Sequence, residues 1–165
     1  MNTLFYITAA VAVLSTIMVI TQLNPVHALL YLIVSLLSVA LVFFLLGAHF
    51  AAALEVIIYA GAIMVLFVFV VMMLNLGPRT IQQERQLLNP RMWLGPSALA
   101  TVLLAELLYV VAAGGGQPVG VREVGPKAVG LALFGPYLLG VELASLLLLA
   151  GLVGAYHLGR RDMDG

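Results

Sequence analysis

Between Phe50 and Asn75 the chain runs for 26 residues, FAAALEVIIYAGAIMVLFVFVVMMLN, with one charged side chain, Glu55, and one phenol, Tyr59. A run this long and apolar has one stable home. In hydrocarbon the backbone N–H and C=O groups find no water, so the segment must satisfy them internally, as a bilayer-spanning helix. Glu55 is then an ionisable group held in lipid, where such groups are rare and mark function by default.

Four more runs have the same character. The first covers about 3–21 and ends at Gln22-Leu23-Asn24. Only Met1 and Asn2 precede it, with no Lys or Arg, so it lacks the basic start of a signal peptide and reads as a transmembrane helix. The second spans 25–46 and opens on Pro25, which sits in a first helical turn at little cost. The third is 50–75, after the break Gly47-Ala48-His49. The fourth covers 92–113, with Trp93 at its interfacial end. The fifth covers 131–158, with Gly135-Pro136 bending or starting it. Polar segments, Gly77–Arg91 and the glycine-rich Gly114–Gly130, separate the last three. The expected fold is all-α, with five transmembrane helices in a single membrane-embedded domain over 1–165.

Composition narrows the function classes. Hydrophobic residues make up 64% of the chain and charged ones 8%, against about 25% charged in soluble domains. The balance of seven basic and seven acidic residues points to no nucleic-acid partner. With no cysteine, disulfides, thiolate metal sites and iron–sulfur clusters are excluded in this chain. His27, His49 and His157 lack metal-site or haem-pair spacing, and the methionines Met64, Met72 and Met73 read as packing or lipid-facing groups. No GxxxxGK[ST] phosphate loop and no Ser/His/Asp set is present. Orientation follows from Lys and Arg. Arg79, Arg85, Arg91, Arg160 and Arg161 fall on one side of a five-span chain, and Arg122 and Lys127 on the other. The expectation is an N-terminus outside and a C-terminus in the cytoplasm.

Three acids lie within the runs. Glu55 is roughly 8 Å past the start of the third, Glu106 roughly 10 Å before the end of the fourth, and Glu142 about 9 Å past Pro136, at 1.5 Å per residue. With that orientation all three fall in the outer half, as a protonatable cluster would. No Lys or Arg shares a span with them. Each must therefore be neutral, hydrogen-bonded, wetted by internal water or matched by a neighbouring protein; a structural bond to a facing helix is the plainer alternative. Tyr59 stands one turn after Glu55 on the same helix face, placed either for a hydrogen bond or water chain or for simple packing. Ala60-Gly61-Ala62 allows close helix approach, or a locally switchable π-turn of the kind found at functional sites.

Three blocks carry a resemblance. They are Asn24-Pro25-Val26-His27-Ala28-Leu29, then the continuous run from Glu55 to Phe67 (EVIIYAGAIMVLF) with Val70–Asn75 extending it, and then Tyr137-Leu138-Leu139 with Glu142-Leu143-Ala144-Ser145-Leu146 and Val153-Gly154-Ala155. In these the chain resembles the J-type membrane subunits of proton-pumping NADH:quinone oxidoreductase, respiratory complex I. The resemblance implies a bacterial inner-membrane protein beside A-, H-, K- and N-type subunits in the lipid bilayer. It implies a non-redox subunit with no complete active site, in a holoenzyme that uses FMN, iron–sulfur clusters, NADH and quinone. It also implies a π-bulge over Tyr59, Ala60, Gly61, Ala62, Ile63, Met64 and Val65, whose conversion to regular helix gates a water chain. The proton-coupling candidates are Glu55, Tyr59, Glu106 and Glu142. Other readings are a homologous subunit of a membrane-bound hydrogenase or multisubunit cation/proton antiporter, a free-standing homo-oligomeric transporter, and a structural spacer.

Overall fold

The structure, a computed structural model, describes residues 2–74, 90–113 and 124–159. Helix α1 runs Asn2–Thr21, α2 Pro25–Leu45, and the third span is continuous from His49 to Leu74. That span is built of three parts: α3 (His49–Leu54), a π-helix (Glu55–Ile63) and α4 (Met64–Leu74). Helix α5 covers Pro90–Ala112, α6 Pro126–Leu133 and α7 Leu138–Gly159. Among the described residues five helices are long and apolar enough to cross a membrane, which makes this a multi-pass membrane protein. The chain divides into two compact units, Met1–Glu123 and Val124–Gly165.

In the first unit α2 is the hub: α1, all three parts of the third span and α5 pack on it, and α5 also packs on α1. Its ends are set locally. The Asn24 Oδ1 accepts from the Val26 N–H at 3.0 Å, with Pro25 in the first turn, a helix start that satisfies one of the free N–H groups. At the other end the Ala48 N–H donates to the Phe43 carbonyl and the Gly47 N–H to the Phe44 carbonyl. This paired closure needs a left-handed residue, and Gly47, at φ 81°, is that residue.

The α1–α2 seam is built of small and hydroxyl-bearing side chains. Thr8, Val11 and Ser15 are buried on α1, facing a buried stripe His27, Tyr31, Val34, Ser38 and Leu41 on α2. Steps of three and four residues keep such a stripe on one helix face. Between the helices Thr16 and Ser35 share a hydrogen bond of 2.8 Å. Ser15 and Ser38 turn their hydroxyls back to carbonyls four residues earlier, so the hydroxyls in the seam are satisfied while the backbones stay close. Val11, Val34, Leu41 and Leu103 form the apolar core beside it.

Three expectations need correction. The fifth helix is not one element over 131–158. It is α6 and α7, separated by a turn at Phe134–Tyr137, because Pro136 has no N–H to give and a Cβ on Gly135 would lie 2.6 Å from the Leu131 carbonyl oxygen. The glycine-rich loop ends earlier than Gly130, since Pro126 starts α6. The fourth helix begins at Pro90, two residues before Met92. Residues 77–89 and 114–123 of the polar segments, and Arg160 and Arg161, lie outside the described residues.

Candidate functional site

The third span is where the backbone departs from regular helix. From Glu55 to Ile63 it is a nine-residue π-helix, and the last wide bond runs from the Met64 N–H to the Tyr59 carbonyl, five residues back. Glu55 is the first residue of this segment and half-buried; Tyr59 is 49% exposed. Of the seven positions expected in the bulge, Tyr59, Ala60, Gly61, Ala62 and Ile63 lie in the π-helix. Met64 and Val65 do not: they are the first residues of α4. The wide turns instead start four residues before Tyr59, at Glu55.

Packing explains where the irregular segment stops. No residue of the π-helix is buried, but Ala52 before it and Met64 after it are, Met64 at 2% exposed. The segments carrying both pack on α2. Twelve residues of α-helix would set Ala52 and Met64 about 120° apart around the axis, at 3.6 residues per turn. Hydrogen bonds that reach one residue further back absorb roughly one residue's rotation, about 100°. The π-helix thus brings both onto one face. Inside it, a Cβ on Gly61 would sit 3.1 Å from the Val56 carbonyl oxygen, so glycine gives the close approach that the wide turn makes.

The other acids are held differently. Glu106, on α5, is 6% exposed and its Oε2 lies 2.9 Å from Thr8 Oγ1 on α1. Glu106 is six residues from the last residue of α5, and Thr8 six from the first of α1. The contact therefore lies at one depth, roughly 9 Å from each end, and sets the N-terminal end of α1 beside the C-terminal end of α5. Glu142, on α7, is exposed within the second unit. Beside the third span an apolar groove of about 560 Å³ runs between α2, α3 with Val56, and α5, lined among others by Phe44, Ala52, Val56, Leu103 and Leu107. Phe44 and His49 both line it, their rings tilted at 58° with centroids 4.4 Å apart.

Several features escaped sequence reasoning. Thr8 is the partner of Glu106, and His27, read only as a scattered histidine, is 2% exposed with both ring nitrogens lacking a partner among the described residues. Tyr31 lies so close to α5 that a Cβ on Gly95 would overlap its hydroxyl. A signal existed for part of this. Thr8 and Ser15 are seven apart, as are His27 and Val34, and polar or small residues at that spacing inside apolar runs mark a packed face.

Residues 15–158 match the model of the family described as NADH-ubiquinone/plastoquinone oxidoreductase chain 6. The chain is 67% identical over 159 residues to NADH-quinone oxidoreductase subunit J of Pseudomonas aeruginosa, covering 96% of both chains. It is 58% identical over 161 residues to the subunit J of Escherichia coli K12, covering 98% of this chain and 88% of that one. The subunit J of Buchnera aphidicola subsp. Schizaphis graminum is 52% identical over 160 residues, with 97% and 98% covered. With matches that run nearly end to end, the chain belongs to the NADH-ubiquinone/plastoquinone oxidoreductase chain 6 family.

Proposed function

We propose that this chain is a membrane-arm subunit of a proton-translocating NADH:quinone oxidoreductase, and that its third span couples quinone reduction to proton transfer. The observation that carries this reading is the π-helix at Glu55–Ile63, tied to α2 at Ala52 and Met64 and unburied between them. Such a segment has two available hydrogen-bond registers. Passing from the wide to the regular register rotates α4 against α3 by about 100°, which moves Tyr59 relative to Glu55 and makes or breaks a water path past them. Proton transfer between buried sites needs such a change, because a permanent water chain would leak.

Glu55 and Tyr59 act at this gate, and Glu142 serves a proton path on the fifth span. The chain has no cysteine to hold an iron–sulfur cluster, and in this reading the FMN, the clusters and the NADH site belong to other subunits. The neighbours in the membrane are subunits of the A, H, K and N types. The N-terminus faces outward and the C-terminus the cytoplasm of a bacterial inner membrane, as the arginine distribution requires. The near full-length similarity to subunits named for NADH-quinone oxidoreductase favours this over a hydrogenase or cation/proton antiporter subunit.

Gly61→Ala tests the gate. Alanine favours regular helix over glycine by about 1 kcal/mol, and in the wide register its Cβ would lie 3.1 Å from the Val56 carbonyl oxygen. The variant should shift the register toward α by roughly fivefold. In assembled complex, electron cryomicroscopy should show residues 55–63 as α-helix in a larger share of particles, and protons pumped per NADH oxidised should fall severalfold. Full pumping with the register shifted would refute the gate. A chain that purifies with no NADH:quinone activity and no redox subunits would overturn the assignment itself.

A further inference from the structure

Thr8 Oγ1 lies 2.9 Å from two oxygens at once: the Leu4 carbonyl of its own helix and Glu106 Oε2. A hydroxyl has one proton to donate, and neither a carbonyl nor a carboxylate has any. A three-centre bond would divide that one proton between two acceptors, whereas a carboxyl group that brings a proton of its own makes each contact a full hydrogen bond. We propose that Glu106 is a resident proton-binding site, held as the neutral carboxylic acid, with Oε2–H donating to Thr8 Oγ1 and Thr8 Oγ1–H donating to the Leu4 carbonyl.

The surroundings favour the neutral form. Thr8 is fully buried, Glu106 is 6% exposed, and its Oε1 has no partner among the described residues. None of the five spans carries Lys or Arg. An ionised Glu106 would be a buried carboxylate with one donor among the described residues and no Lys or Arg within the spans to balance it, an arrangement that buried ion sites avoid.

The other titratable groups on the helices of the first unit include Tyr6, His27, Tyr31, His49, Glu55, Tyr59 and Tyr109. Tyr6 on α1 and Tyr109 on α5 are largely exposed. Tyr31 of α2 lies against Gly95, eleven residues back along α5, and His27 is a further turn away on α2. On the third span the His49 ring lies tilted against Phe44, and Glu55 opens the π-helix. Loss of the proton has a defined local consequence. The Thr8 hydroxyl must swing from the Leu4 carbonyl to Oε2, so the α1–α5 contact exchanges one donor direction for the other. This site does not rest on the NADH:quinone reading, because its proton is read without turnover.

The test is infrared difference spectroscopy on the purified membrane complex that contains the chain, wild type minus Glu106→Gln, in H₂O and in D₂O near neutral pH. The expected result is one protonated-carboxyl C=O band, lost in Glu106→Gln and downshifted in D₂O. Thr8→Val should move that band to higher frequency, since its O–H loses an acceptor, and Thr8→Ser should leave it in place. A carboxylate signature in place of the band overturns the proposal. So does a band that Thr8→Val leaves unmoved. Should Thr8→Val fail to assemble, the comparison of wild type, Glu106→Gln and Thr8→Ser still decides between acid and carboxylate.

Discussion

At Gly95 a single hydrogen atom in place of a side chain lets α5 approach the Tyr31 ring of α2, and a Cβ there would overlap the phenol oxygen. Overpacked sites of this kind lose about 1–3 kcal/mol, so Gly95→Ala should lower the yield and thermal stability of the assembled complex. Removing the hydroxyl with Tyr31→Phe should recover part of that loss in the double variant. Only part returns, because the ring carbon that carries the hydroxyl would remain 3.1 Å from the new Cβ. Equal stabilities for the single and double variants would show that the approach is not as close as described. Residue identity alone does not reveal this contact. Gly95 stands beside Pro96 in the sequence, where either residue is expected for backbone reasons, and only the neighbouring helix turns the glycine into a packing requirement.

Among the elements, the third span holds a local irregularity between two anchors. Met64 is the largest side chain that is fully buried in the first unit, and its burial depends on the π-helix before it. Met64→Ala should cost about 2–5 kcal/mol in the wide register. It should cost much less in the regular one, where the residue has turned off α2, so the equilibrium moves toward α. Met64→Leu, which conserves volume, should stay within about 1.5 kcal/mol of the wild type. Hydrogen exchange of the amides at 56–64 reads the difference: altered protection confined to that stretch in Met64→Ala and near wild-type protection in Met64→Leu. Exchange that is unchanged in Met64→Ala would separate Met64 from the register. The resemblance placed wide turns in this span, and the segment it named shares Tyr59–Ile63 with the observed one. The boundaries were not legible, because they depend on which residues α2 buries: the wide register ends where Met64 locks in and begins far enough upstream to keep Ala52 on the same face.

For the whole molecule, five spans with the start of α1 beside the end of α5 define a topology that labelling can test. The native chain has no cysteine, so single cysteines report cleanly. Gln83→Cys should react with an impermeant maleimide only from the cytoplasmic side, and Gln117→Cys only from the outside. The reverse pattern would invert the orientation read from the arginines. Most of the surface of the third span within the first unit, and of α7 within the second, is exposed and apolar. What the sequence by itself determined was the number of spans, their ends to within one or two residues outside the fifth, and the acids they contain. Lipid forces every spanning segment into a long helix, and no tertiary contact is needed to impose that. What only the tertiary structure decided was which face of each helix is inside. In a membrane the surroundings are as apolar as the core, so hydrophobicity cannot separate a buried Met64 from an exposed Leu66. That division came from shape and hydrogen bonding: Gly95 against Tyr31, Thr16 with Ser35, and Thr8 with Glu106.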